Sequence, residues 1–263
     1  MSDSGHKSAI LDAGRRRFLA KAATAGGALF LAGCDQLSRS DGMARLFDSA
    51  SALTQKAQRT LTSRHDLARE YPASDIAATF RANGTTNPQN SDYQRMVANG
   101  FRDWRLSIEG LVERPRSFSL DELKAMPSRT QITRQDCVEG WSCIGQWRGV
   151  VLGNLLEQVK PTAKARYVVF HCADNTYGGP DKYYESLDMI EAAHPQTLLA
   201  YELNGADLPI ANGAPIRLRA ERQLGYKMAK YVMRLELVES FEDIGRGSGG
   251  YWEDRGYSWW AGI

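Results

Sequence analysis

The sequence predicts an α+β domain in which strands outnumber helices. Three observations carry this: short β-rich runs recur between residues 105 and 237, only three short helical pieces separate them, and strand and helix lack the regular alternation of a doubly wound sheet. Residues 35–42 are polar and read as a tether. From Met43 the apolar positions Leu46, Phe47, Ala50, Leu53, Ala57 and Leu61 follow helical spacing, which predicts an amphipathic helix whose apolar stripe packs on the body, because its polar face mixes both charge signs. Residues 81–103 lack periodicity and read as a long loop. Arg105 to Glu109 alternates as a strand, 119–125 suits a helix, and Thr130 to Thr133 is β-rich. A helix is expected at 150–159. Arg166 to Cys172 contains the apolar run Tyr167-Val168-Val169-Phe170 of a buried strand. A further helical piece fits 187–193, Leu198 to Leu203 runs into the hairpin signal Asn204-Gly205, and Ile216 to Arg219 and Val232 to Leu237 alternate. No internal repeat and no Gly-rich phosphate loop of standard spacing appears.

Composition excludes several classes. With 33 basic and 31 acidic residues in 263, and 43% hydrophobic residues, the chain is neither disordered, collagenous nor a coiled coil. Five of the basic residues and two of the acidic ones fall in the first 33 positions, leaving 28 against 29 in the body. A body so nearly neutral has no bulk attraction for phosphate backbones, so nucleic acid is excluded as a partner. It is also long enough to bury a full core without disulfides.

The leader holds Arg15-Arg16-Arg17-Phe18-Leu19, then Lys21 and an Ala- and Gly-rich apolar stretch to Gly33, the order of a twin-arginine export signal. The stretch is shorter than the ~20 apolar residues that span a bilayer. It ends in Leu31-Ala32-Gly33-Cys34, which resembles the lipobox of bacterial lipoproteins; read so, Cys34 is the first mature residue and carries lipid. The other reading is a small-residue peptidase site releasing a soluble periplasmic protein. The organisation expected is a signal peptide with lipobox over 1–33, a tether and amphipathic helix over 34–80, and the main folded domain over 81–263, located in the periplasm. Twin-arginine export handles folded proteins, often around a cofactor, and so points toward redox chemistry.

The cysteines alone leave the chemistry open. Cys137 lies in Asp136-Cys137-Val138-Glu139-Gly140-Trp141-Ser142, with Cys143 and Cys172 further on. There is no Cys-x-x-Cys, and His65, His171 and His194 lack metal-ligand spacing, which disfavours a structural zinc. A tyrosine-phosphatase-like loop needs Arg where Cys143 stands. A Cys143–Cys172 disulfide suits an oxidising compartment, whereas buried inert thiols suit the core.

Several motifs occur together in one order: Trp104 to Gly110, Cys137 to Ser142, Trp147-Arg148-Gly149-Val150, Tyr167 to Phe170, His194-Pro195, Leu199-Ala200-Tyr201, Asn212 to Leu218 and Gly225 to Lys230. In this order the chain resembles the sulfite-oxidase family of molybdopterin enzymes over residues 80–240. The Cys-Val-Glu-x-Trp-Ser segment is most similar to the sulfoxide-reducing members; sulfite oxidases follow the cysteine with small residues and an Arg pair.

The resemblance implies the family's strand-rich fold and a molybdenum–molybdopterin cofactor free of an added nucleotide; the family's C-terminal immunoglobulin-like dimerisation domain is expected to be absent, because too few residues follow the last expected strand to form it. It implies that Cys137 is the thiolate ligand of the metal, a soft donor for a soft redox centre. Asn83, Thr86, Asn87, Cys172, Asn212, Arg217, Lys227, Met228, Ala229 and Lys230 are implied as cofactor contacts, with Cys172 standing where the reductases use Thr. Arg217, Arg222, Lys227 and Lys230 gather around one strand–loop–strand unit; on pattern alone Arg217 reads equally well as an outward-facing strand residue. Glu139 and Trp141 follow the metal ligand closely enough to face the substrate, with Glu139 suited to proton relay. The aromatic segment Gly247 to Ile263 either folds back over the core or forms a rim. The expected activity is oxygen-atom transfer on a sulfoxide-like substrate by a monomer drawing electrons from a membrane haem or other electron-transfer protein. The alternatives are a sulfite-dehydrogenase-like oxidase and a lipoprotein binding module that has lost the metal.

Overall fold

The computed structural model describes residues 41–175, 179 and 181–263, with side chains from residue 49 onward. The export signal, Cys34 and most of the tether lie outside the described residues. The chain divides into two compact units, residues 1–54 and 55–263. The first is represented by the start of helix α1 (Asp41–Leu61). The expected apolar stripe does not bury all its members: Leu53 and Leu61 are exposed. The last turns of α1 are held instead by polar groups, Gln58 donating 3.1 Å to the Gly262 carbonyl and Arg59 pairing with Asp188.

Two five-stranded sheets form the second unit. The expected loop 81–103 contains a helix, α2 (Ser91–Ala98), started by the Asn90 side chain, which accepts from the Tyr93 amide at 2.8 Å. Strands β1 (Arg105–Gly110) and β2 (Arg116–Ser119) precede α3 (Leu120–Ala125), which begins with a reciprocal Ser119–Glu122 capping box. Next come β3 (Ser128–Asp136), β4 (Ser142–Val151) and α4 (Leu152–Val159), then β5 (Tyr167–Asn175), β6 (Lys182–Asp188) and α5 (Met189–Ala192). The chain continues through β7 (Leu198–Leu203), the short β8 (Ala206–Asp207), β9 (Arg217–Arg219) and β10 (Val232–Val238). One sheet has the order β2-β1-β10-β5-β6, with β1 and β10 parallel; the other runs β3-β4-β7-β8, with β9 also paired to β7.

The main core lies where β1, β5, β7, β9 and β10 turn Leu106, Ile108, Val168, Phe170, Leu199, Leu218, Leu235 and Leu237 inward against Leu155 and Val159 of α4. Strand β4 escapes a hydrophobicity pattern because two of its buried positions are Gly145 and Gly149. A Cβ on Gly149 would run into the Leu199 carbonyl of β7, and one on Gly145 would meet the Phe80 ring. Cys143 and Cys172 are free thiols in separate packing clusters, one beside Phe80 and Trp147 and the other in the main core.

Candidate active site

Strands β3 and β4 pair to their ends, Asp136 opposite Ser142, so the five residues between them make a tight turn. The Cys137 amide donates 2.9 Å to the Trp141 carbonyl, and the Gly140 amide donates 3.0 Å to the Cys137 carbonyl. The half-buried Cys137 thiol faces a cleft also lined by Asn83, Arg217, Met228, Lys230 and, at its mouth, Glu139. Burial pushes the thiol pKa up, and the Glu139 charge adds to this; the Glu139 and Val138 amides and the Arg81 guanidinium pull the other way. Glu139 is oriented by Trp141, whose indole N–H donates 2.8 Å to its Oε2, while Arg81 lies 4.8 Å over the Trp141 ring. Trp141 therefore supports Glu139 and does not itself line the cleft.

Arg217 points inward from β9. Its guanidinium donates to the Asn212 carbonyl (3.1 Å), Gln135 Oε1 (3.2 Å) and the Met228 carbonyl (3.3 Å), and it packs 5.0 Å from the Trp147 ring. Burial, helped by the neighbouring Arg219 charge, lowers its pKa to about 9. Lys230 reaches across to the segment before α2, donating to the carbonyls of Asn83 (2.7 Å), Thr85 and Ala211 (3.1 Å), with burial lowering its pKa to about 7. The approach is possible because Gly213, at φ 114°, sits between Arg217 and Lys230 where a Cβ would press on both side chains.

The other candidates lie elsewhere. Lys227 is fully buried between Glu185 and Glu253, so its charge is already matched within the protein. Ala229 is buried and contributes main chain, its carbonyl accepting from Leu218 at 2.8 Å. Asn212 is buried beside Arg217. Thr86 and Asn87 line an adjoining recess that shares Gly84 and Thr85 with the cleft. Cys172 is buried in β5 with its sulfur toward the Phe170 carbonyl, 3.9 Å away. Arg222 pairs with Glu191 rather than joining the cleft cations.

Several cleft residues escape sequence reasoning. Asp174, two positions after Cys172 in β5 and buried like it, lines the wall beside Thr85, and Tyr183, Tyr226, Trp252 and Tyr257 complete it. The aromatic content of the last residues is the one signal that points to Trp252 and Tyr257. That segment both folds back, with Trp259 stacked 6.0 Å from Phe241, and supplies a rim, with Tyr257 stacked 5.2 Å from Trp252 and edge-on to Tyr226.

The donor set suits an acceptor-rich, anionic group. Arg217 Nε, and the amide nitrogens of Gln135 and Asn212 that flank the same guanidinium, are buried without partners. Unpartnered buried donors clustered at one place are uncommon and mark a site for acceptors supplied from outside. A thiol donor at the same cleft fits a soft metal carried by such a group.

The model of the oxidoreductase molybdopterin-binding domain matches residues 93–243. An Azospira oryzae relative named "Putative protein-methionine-sulfoxide reductase subunit YedZ1" is 38% identical over 248 residues, covering 94% of this chain and 87% of the relative. The protein-methionine-sulfoxide reductase catalytic subunit MsrP of Xanthomonas axonopodis pv. citri is 40% identical over 149 residues, 53% of this chain and 46% of that subunit. The MsrP of Ralstonia nicotianae is 39% identical over 145 residues, 52% of this chain and 44% of its own length. The matched region thus spans about half of each MsrP subunit.

Proposed function

Because this chain belongs to the molybdopterin-binding oxidoreductases, we propose that it reduces an uncharged sulfoxide by two electrons, with Cys137 as the protein ligand of molybdenum. One sulfoxide, two protons and two electrons give one sulfide and one water. When bound, the molybdenum–pterin group supplies the two-electron couple and the oxygen-accepting centre.

The observation that carries the reading is the convergence of the Cys137 thiol, the Arg217 guanidinium and the Lys230 ammonium on one cleft. Arg217, Met228 and the Asn83–Thr85 segment pinned by Lys230 would hold the pterin end. Asn212 acts through Arg217, and Thr86 and Asn87 extend the site into the adjoining recess. Ala229 fixes β9 through its carbonyl, while Lys227 and Cys172 support the surrounding wall from inside. Glu139, held by the Trp141 indole at the mouth, is placed to exchange protons with solvent.

Charge favours a neutral substrate over sulfite. Lys230 is committed to three carbonyls and Arg217 to three acceptors. The mouth offers the Glu139 carboxylate together with Val138 and Tyr257, 46% and 39% exposed. An apolar, acidic mouth repels a sulfur dianion and accepts an alkyl sulfoxide.

The same reading places the protein in the periplasm after twin-arginine export, tethered by lipid on Cys34. It works as a monomer with a nucleotide-free pterin and electrons from a membrane haem or other electron-transfer protein. No helix among the described residues is long and apolar enough to cross a membrane. A dye-coupled assay on molybdenum-loaded protein tests the proposal: turnover with alkyl sulfoxides and none with sulfite supports it. Sulfite turnover alone replaces it with the oxidase, and loaded protein inert to both leaves a binding module.

A further inference from the structure

Building on the sulfoxide reading, we propose that Asp174 supplies one of the two protons that the substrate oxygen takes up as it leaves as water. Asp174 lies near the end of β5, within the stretch between His171 and Asn175 where the β5–β6 register shifts. Its side chain lines the same cleft as Cys137, and the residue is only 4% exposed. One carboxylate oxygen, Oδ1, is buried without a hydrogen-bond partner. Glu139, the other acid of the lining, is exposed and accepts from the Trp141 indole.

The groups around Asp174 explain why its carboxyl releases its proton less readily than a free one. Lys230, Thr85, Tyr93, Tyr231, Tyr183 and Cys172 face it electrostatically from the neighbouring elements. Most donors among them are spent on main chain: Lys230 on three carbonyls, Tyr93 on Ala214 (2.7 Å), Tyr231 on Thr85 (2.9 Å) and Tyr183 on Tyr226 (2.5 Å), which leaves the Thr85 hydroxyl to face the carboxyl. Burial raises its pKa to about 6, against the pull of Thr85 and Lys230. An ionised carboxylate with little compensation is costly in such a place, whereas a neutral carboxylic acid is comfortable and can donate.

In the step proposed, the sulfur–oxygen bond breaks with two electrons from the electron-transfer partner. An O–H bond forms with the Asp174 proton, which leaves a carboxylate. Solvent supplies the second proton and reprotonates Asp174.

The test uses cofactor-loaded protein and compares wild type, Asp174→Asn and Asp174→Glu. Wild-type sulfoxide turnover should fall as pH rises through about 6. Asp174→Asn should keep its molybdenum, lose kcat on the order of 100-fold and lose that pH dependence, while Asp174→Glu restores most of the rate. Infrared difference spectra should contain a protonated-carboxyl band that disappears over the same pH interval and is missing from Asp174→Asn. An Asp174→Asn variant with full rate and an unchanged pH profile overturns the proposal while leaving the sulfoxide reading intact. Loss of molybdenum from that variant also overturns it, because the carboxylate then holds the cofactor. Loaded wild type that reduces no sulfoxide overturns the substrate reading itself, and the proton assignment with it.

Discussion

The Lys227 ammonium lies 2.5 Å from Glu253 Oε1, with both side chains about 1% exposed, and it also pairs with Glu185. One cation thus joins the C-terminal segment to β6 beneath the Gly225–Lys227 turn. Burial pulls the Lys227 pKa down, but the two carboxylates outweigh it and hold the lysine charged. Burial and the Glu253 charge push the Glu185 pKa upward, against the pull of Lys227. This latch fixes the segment that brings Trp252 and Tyr257 to the cleft rim.

Replacing Lys227 with Met leaves two buried acids without their cation. The expected loss is ~3–5 kcal/mol of unfolding free energy in urea titrations, together with faster proteolysis after residue 245. A loss within ~0.5 kcal/mol, the usual scale of surface substitutions, would contradict the latch.

Gly149→Ala places a methyl group against the Leu199 carbonyl. The β4–β7 pairing must open to admit it, so destabilisation of ~1–3 kcal/mol is expected. Amide exchange should locate the loss in β4 and β7; unchanged protection there would contradict the close approach of these two strands at Gly149.

Which elements are legible in the sequence follows from which side chains face the core. Strands β1, β5, β7 and β10 bury aliphatic residues in a pattern that alternation or a continuous apolar run reveals, whereas β9 buries both its arginines beside Leu218. In β3 the buried positions are Gln131, Thr133 and Gln135, so only its middle reads as strand. β4 hides behind glycines and β6 behind buried Glu185 and Ser186, whose partners lie far along the chain. Helix α2 is eight residues long with one buried side chain, Tyr93, too little for a periodic signal. At the site, Cys137 stands out through its motif. Lys227 and Lys230 look alike in sequence, yet one meets carboxylates and the other carbonyls, a difference that only the folded chain displays. Asp174 reads as an ordinary polar residue at a strand end until burial gives it a distinctive environment.

Asp174 also makes stability depend on pH in a definite direction. Its carboxyl pKa is raised from 3.8 in the unfolded chain to about 6 in the fold, so the folded state binds the proton more tightly. Its destabilising contribution is absent below the unfolded value, grows as pH rises between the two, and is complete above the folded one. Asp174→Asn should therefore stabilise the protein by ~3 kcal/mol at neutral pH and by little near the unfolded pKa. Denaturation at the two pH values measures this, and a variant less stable than wild type at neutral pH would contradict it.

The central claim is that Cys137 binds molybdenum in a catalytic cleft. The most direct measurement is elemental analysis and metal spectroscopy of the exported protein, wild type beside Cys137→Ser. The account predicts stoichiometric molybdenum in wild type, and in the variant an altered metal spectrum with turnover abolished, while its melting curve stays close to wild type. Metal-free wild type from a host that fills other molybdoenzymes, or a variant with the wild-type metal spectrum and full turnover, would contradict it.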